Sequence, residues 1–275
     1  MSLSRKRTAT EFALRCLLLL ALWATGTLAL AAPVAGTVVQ LSGPLLAKKA
    51  NGTVKVLALK SEVENGDTLV TEKNTYAMVK FIDNSEITLR PDTTLTIENF
   101  SFDNGKQDED RANFNLVKGG LRSVTGLLGK RSKEKFELKT PAATIGIRGT
   151  TFIAQYVPPP PGSPAGLLPS AKIPALPGPA APALSPPRAG VAAPPVLAPG
   201  LHLQVTDGAI IVTNSGGSLG FQAGQFGYTP SVNTPPVIVP SNPNIQFVPP
   251  PTFNASAGPL QSSAPKSSAV DCVVR

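Results

Sequence analysis

Apolar and polar residues alternate with period two through much of residues 33 to 156, and Gly, Asn, Asp and Pro cut the alternation repeatedly. That pattern predicts short, half-buried strands joined by tight turns. Gly36 to Leu41 (GTVVQL) is one such strand, closed by a turn at Ser42-Gly43-Pro44. Tyr76 to Ile82 places Tyr76, Met78, Lys80 and Ile82 on one face and Ala77, Val79 and Phe81 on the other. A turn at Asp83-Asn84-Ser85 follows, then strands over 86–89, 94–97, 113–117, 121–124, 136–138, 144–147 and 150–156. Pro44, Pro91 and Pro141 fall between strands, where a missing N–H costs no ladder bond. No window carries a helical stripe, so the fold class is all-β. Short segments cornered by glycine roughly every ten to fifteen residues favour a β-roll or β-solenoid, with a jelly-roll sandwich as the alternative.

Composition divides the chain further. Arg5, Lys6, Arg7 and Arg15 precede or enter an apolar run from Cys16 to Leu30, and Ala29-Leu30-Ala31 supplies small residues at a cleavage site. Residues 1–31 are therefore predicted to be a signal peptide cut after Ala31, giving a periplasmic or secreted destination. The apolar run is shorter than the ~20 residues a membrane span needs. No transmembrane span is expected in the mature chain. Residues 36–156 form the first part of the predicted β domain and 201–228 its closing strands. Between them, 157–200 is a Pro/Ala-rich insertion holding about half of the chain's 29 prolines. Dense proline fixes φ and removes donors, so this stretch is read as an exposed disordered arm. Residues 229–275 read as a Pro/Ser-rich disordered tail.

Removal of the signal changes the charge picture. Its four basic residues against Glu11 carry +3 of the formal +8, leaving +5. Much of the remainder sits in Lys130, Arg131, Lys133, Lys135 and Lys139. Export excludes nucleic acid as the expected partner, and a basic patch in the envelope could meet anionic lipid, polysaccharide or protein. Cys16 leaves with the signal, so Cys272 is the lone mature thiol. No internal disulfide or cysteine-based metal site can form, and a dimer through Cys272 is the one covalent option.

Catalytic chemistry is not suggested. The single histidine, His202, has no G-x-S-x-G serine elbow to serve and cannot form a metal cluster alone. Gly126 to Arg131 lacks the Walker spacing, because Val124 and Arg131 stand where Gly and Ser or Thr are required. Asp103-Asn104-Gly105 with Asp108, Glu109 and Asp110 fits no calcium loop and reads as an acidic hairpin tip. Neither enzyme activity nor a cofactor is expected. Arg148, between Gly146 and Gly149, could offer its planar guanidinium to a partner carboxylate. The flanking glycines favour the other reading, an internal side chain tying neighbouring carbonyls at a sharp corner.

Several motifs, in order, resemble the FecR domain family. Gly66-Asp67-Thr68-Leu69-Val70-Thr71 resembles G-D-x-L-x-T, and Ala77 through Leu89 resembles A-x-V-x-F-x-D-G-S-x-x-x-L with Asn84 in place of glycine. Gly120 and Arg122 match the next element. Thr140 to Phe152 (TPAATIGIRGTTF) resembles the family signature, and Val205 to Val212 with Ala223-Gly224-Gln225 resembles its closing strands. The resemblance assigns Asp67, Asp83, Ser85, Thr140, Pro141, Gly146, Arg148, Gly149 and Thr150 to a structural signature. It leaves Arg148, Lys130, Arg131 and Lys133 as candidate partner contacts. Best-known family members regulate a sigma factor from the inner membrane in response to ferric-siderophore uptake. Only about fifteen residues precede the apolar run and a Pro-rich tail follows the domain, so a direct anti-sigma role is not expected here. The expected function is a non-catalytic periplasmic interaction module in envelope sensing or assembly, with an envelope protein as partner and a link to iron-uptake signalling implied by the family. The alternative is a structural or surface-associated envelope protein contacting polysaccharide or lipid.

Overall fold

The computed structural model describes residues 32–160, 197–245 and 247–250. The expected signal peptide, most of the Pro-rich insertion, and Cys272 lie outside the described residues. Seventeen strands follow in chain order. They are β1 (Val34–Leu41), β2 (Leu45–Lys48), β3 (Val54–Leu57), β4 (Glu62–Glu64), β5 (Thr68–Thr71), β6 (Ala77–Phe81), β7 (Glu86–Leu89) and β8 (Thr94–Ser101). Then come β9 (Arg111–Val124), a one-turn helix α1 (Leu127–Arg131), β10 (Phe136–Lys139), β11 (Thr144–Ile147) and β12 (Thr151–Val157). The chain closes with β13 (Gly200–Asp207), β14 (Ala209–Asn214), β15 (Gly217–Gln222), β16 (Phe226–Thr229) and β17 (Val237–Val239).

The long strand β9 organises everything else. Its second half, from Gly119, lies at the centre of one sheet in the order β4-β1-β6-β7-β9-β12-β13-β16-β17. Its first half centres the other, in the order β3-β2-β5-β8-β9-β10-β11-β14-β15. Each layer thus carries four strands on either side of β9. All pairings are antiparallel except β9 with β10. The chain winds back and forth between the layers, a β-roll in the all-β class the alternation predicts.

Sequence reading separates β9 into two strands at Gly119-Gly120; the structure bends it there without breaking it. Gly119 has φ +86°, and a Cβ on it would lie 2.5 Å from the Thr93 Cα. Only glycine combines that conformation with that approach. The Thr93 hydroxyl secures the bend, accepting from Gly120 N and donating to Gly120 O, both at 3.0 Å.

The inner faces of the layers meet in one apolar cluster. Ala77, Val79 and Phe81 point into it, as the alternation requires, and Lys80 and Ile82 point out. Met78 is buried as well, against the expectation for its face. Aromatic rings carry contact across the layers, Phe81 to Phe100 at 4.7 Å, Phe81 to Phe114 at 5.2 Å and Phe136 to Phe152 at 6.4 Å, and Phe114 to Phe136 at 5.8 Å links them within one layer. Centroid distances of this order are where aromatic pairs attract beyond their burial.

Two further differences have local causes. The helix α1 escapes periodicity because one turn is too short to write a stripe. Residues after 229, read as tail, supply β17 and the buried Ile245, with Phe247 edge-on to Tyr76 at 6.2 Å. Flanking prolines at 236 and 240 restrict β17 to an edge position, which is where it sits.

Candidate functional site

The segment Thr140–Phe152 runs from a turn through β11 to a corner and into β12. Thr140 shapes the turn: its hydroxyl accepts from Ala143 N at 3.0 Å and donates to Ala143 O at 2.7 Å. Pro141 stands exposed at the tip. Beyond β11, Gly149 takes φ +69°. Thr150 is buried at this corner; its hydroxyl donates to Ala209 O and accepts from Arg148 N at 3.3 Å. Its backbone is clamped by Thr125, which accepts from Thr150 N at 2.8 Å and donates to Thr150 O at 2.6 Å. Gly208 faces the corner so closely that a Cβ would lie 2.2 Å from Gly149 O.

Arg148 corrects the favoured expectation. Its backbone N–H donates to Ala209 O at 2.9 Å, but its side chain is exposed and has no hydrogen-bond, ion-pair or ring partner among the described residues. Thr125 takes both backbone groups of Thr150, and Ala209 O takes Arg148 N and the Thr150 hydroxyl, so the corner is tied without the guanidinium.

Instead Arg148 borders an open trough of about 420 Å3 on the outer face of β14 and β15. Register explains its shape. Gly146, Ile211 and Gly220 lie side by side in one cross-strand row. Thr144, Thr213 and Ser218 form the next outward-facing row, and Ala209 pairs with Gln222 on the other side. Ile211 is thus the one large side chain of its row. Gln225 accepts from Gln222 N at 2.7 Å through its side-chain oxygen, leaving its amide nitrogen unused among the described residues.

The other signature residues are consumed internally. Asp67 is buried and accepts from Lys49 Nζ and Glu64 N, both at 2.9 Å. Asp83, also buried, accepts from Ser85 N at 2.9 Å and the Ser85 hydroxyl through one oxygen, and from Leu128 N at 3.2 Å through the other. Its backbone carbonyl takes Leu127 N at 2.8 Å. The turn at 83–85, with Asn84 at φ +63°, therefore holds the start of α1.

The basic run does not act as one patch. Lys130 and Lys133 are exposed and have no partner among the described residues. Arg131, expected as a partner contact, is instead bound to the fully buried Asp110, at 2.8 Å from Nε and 2.7 Å from Nη2. The guanidinium lies 4.4 Å over the Phe102 ring and also donates to Asn104 O at 3.4 Å. The Arg131 guanidinium holds the Asp110 carboxyl below the usual carboxylate range. Basic run and acidic tip are thus two sides of one internal joint, a pairing across 21 residues of sequence that local charge patterns do not reveal.

His202, on β13, is buried, with Nε2 2.7 Å from Ala198 O and its ring stacked on Tyr228 at 4.7 Å. Nδ1 has no partner among the described residues. Burial pushes its pKa below the ordinary histidine value. Tyr228 donates to Pro199 O at 2.7 Å, so both rings fasten the chain where it returns to β13.

This double-layered roll with its clamped corner carries a match to a known family. The FecR protein family matches residues 67–159, from buried Asp67 to just beyond β12, and β13–β17 complete both sheets outside that span. Among curated proteins, none matches the chain. A solved structure described as a cell surface anchoring domain is 22% identical, covering 22% of this chain and 82% of its own, with a TM-score of 0.22. Two crystal structures of a candidate anti-sigma factor from Parabacteroides distasonis ATCC 8503 are 8% and 10% identical. Each covers 62% of this chain and 58% of that protein, with a TM-score of 0.38.

Proposed function

We propose that this chain is an exported, non-catalytic interaction module that works in envelope sensing or assembly by binding another protein. The observation that carries the reading is the exposed, unpaired Arg148 at a corner whose Thr150 backbone and hydroxyl are held by Thr125 and Ala209. A rigid clamp around a free guanidinium presents that group at fixed geometry, which favours recognition over packing. The groups that could do acid–base chemistry are otherwise occupied: Asp67, Asp83 and Asp110 hold backbone and cations, and His202 is buried among apolar groups. Among the described residues no helix is long and apolar enough to cross a membrane. The leader pattern of residues 1–31 supports a periplasmic or secreted location. Iron-uptake signalling is the family's best-known setting and one context in which the partner would be sought. The exposed Lys130 and Lys133 favour a second reading, contact with an anionic polysaccharide or lipid surface.

Chemical cross-linking in intact envelopes, followed by capture of the tagged chain, separates the two. Recovery of one defined transporter or sensor protein supports the first reading. Recovery of glycan or lipid with no protein partner overturns it.

A further inference from the structure

Gly146 and Gly220 are glycines that the fold does not require. Neither has a left-handed φ, and a Cβ built on either meets nothing nearer than 4.0 Å and 3.9 Å, respectively. Gly119 and Gly208 are different: a side chain there would strike backbone at 2.5 Å and 2.2 Å. Glycine inside a strand weakens it, and one that forms no bulge or bend often marks a place where a ligand or another backbone approaches closely. Both glycines flank Ile211 in the row that floors the trough beside Arg148.

We propose that this trough binds an acidic segment of a partner protein, with an apolar side chain seated over Ile211 and a neighbouring Asp or Glu carboxylate held by Arg148. The proposal rests on the protein-binding reading above and names its chemistry. Charge complementarity selects the acid. The trough offers a free guanidinium and the unused amide nitrogen of Gln225, both donors, and none of its lining residues is acidic. Arginine's planar fork matches a carboxylate in two parallel hydrogen bonds. The floor of Ile211, Ala209 and Gly220, with Gly146 beside Ile211 in the same row, selects the apolar neighbour. A lipid surface fits less well, because attraction to anionic membranes draws on clusters of roughly four to eight cations, and this trough has one.

The test is selection of a random dodecapeptide display library on the immobilised chain, with Arg148→Glu and Gly220→Val as counter-targets. Enrichment of peptides pairing Asp or Glu with a large apolar residue is expected. Their affinity should fall at least tenfold on either variant, while melting temperature stays level or rises for Gly220→Val. Changing the peptide's acid to lysine should restore binding to Arg148→Glu. Enriched peptides that lack an acid, or that bind both variants like the wild type, would overturn the trough assignment and leave protein binding standing. No enrichment, together with binding of phosphatidylglycerol vesicles or polygalacturonate that Arg148→Glu abolishes, would overturn the acidic-peptide occupant. No enrichment with neither of those binding would overturn it equally.

Discussion

At the residue scale, the polar groups of the signature divide between clamps and one free side chain. Asp83 is the most heavily used clamp, serving Ser85 N, the Ser85 hydroxyl and Leu128 N from one buried carboxylate. Asp83→Ala would strand the buried Leu128 N, at about 1–3 kcal/mol, and would release the half-buried Ser85 N and hydroxyl as well. A loss of about 2–4 kcal/mol in a denaturant melt is expected; a change within 0.5 kcal/mol would be a surface-type result and would contradict the clamp. His202 gives a pH prediction. Its folded-state pKa lies below the unfolded value of about 6.5, so the neutral ring's contribution is present above that pH and lost as pH falls through the folded value. It is the single histidine in the chain, so the window between roughly pH 5 and 6.5 is its own, with carboxylates titrating lower. Melting temperature should decline across that window in the wild type. In His202→Phe the decline should vanish; an unchanged slope would show that His202 does not titrate there.

At the element scale, the hairpin β12–β13 shows how a long insertion can hang on a rigid body. Val157 and Gly200 are directly paired across the two strands, so the chain leaves and returns at adjacent points. Opposed strand residues lie about 5 Å apart, which a two-residue turn can span. Replacing residues 158–199 with Asn-Gly should therefore keep the β-type circular dichroism. Melting temperature should fall, because His202 and Tyr228 lose Ala198 O and Pro199 O. Loss of the β signal would show that the arm belongs to the core. Much of this level could be read in advance: β6, β7, β11 and β12 begin and end within a residue of the segments that the sequence pattern marks, and corners fall at Gly, Asn and Asp. What escaped was set by tertiary contact. β9 continues through Gly119-Gly120 because Thr93 holds the bend, and α1 exists because Asp83 anchors its first amides.

For the whole molecule, two layers share β9 and bury one core, leaving their outer faces and four edge strands to solvent or partners. The match to the FecR family over residues 67–159 and the all-β class were legible because motif order survives in one dimension. The site was legible only in part. Arg148 stands out in sequence, but whether its side chain points inward depends on Thr125, Thr150 and Ala209, which converge from three separate segments. Arg131 misleads for the same reason, its partner Asp110 being on the far side of β9 in sequence. The trough itself needed the register of β11, β14 and β15, which aligns Gly146, Ile211 and Gly220.

We infer that the corner at residues 148–150 displays Arg148 and is not held together by it. The most direct test of this central claim measures melting temperature and envelope cross-linking of Arg148→Ala side by side with the wild type. An exposed, unpaired side chain away from the core should cost within about 0.5 kcal/mol, or a shift of about 2 °C. The melting temperature is therefore expected to hold while cross-linking to the protein partner is lost. A clear fall in melting temperature with cross-linking intact would contradict the account and return Arg148 to the interior of its corner.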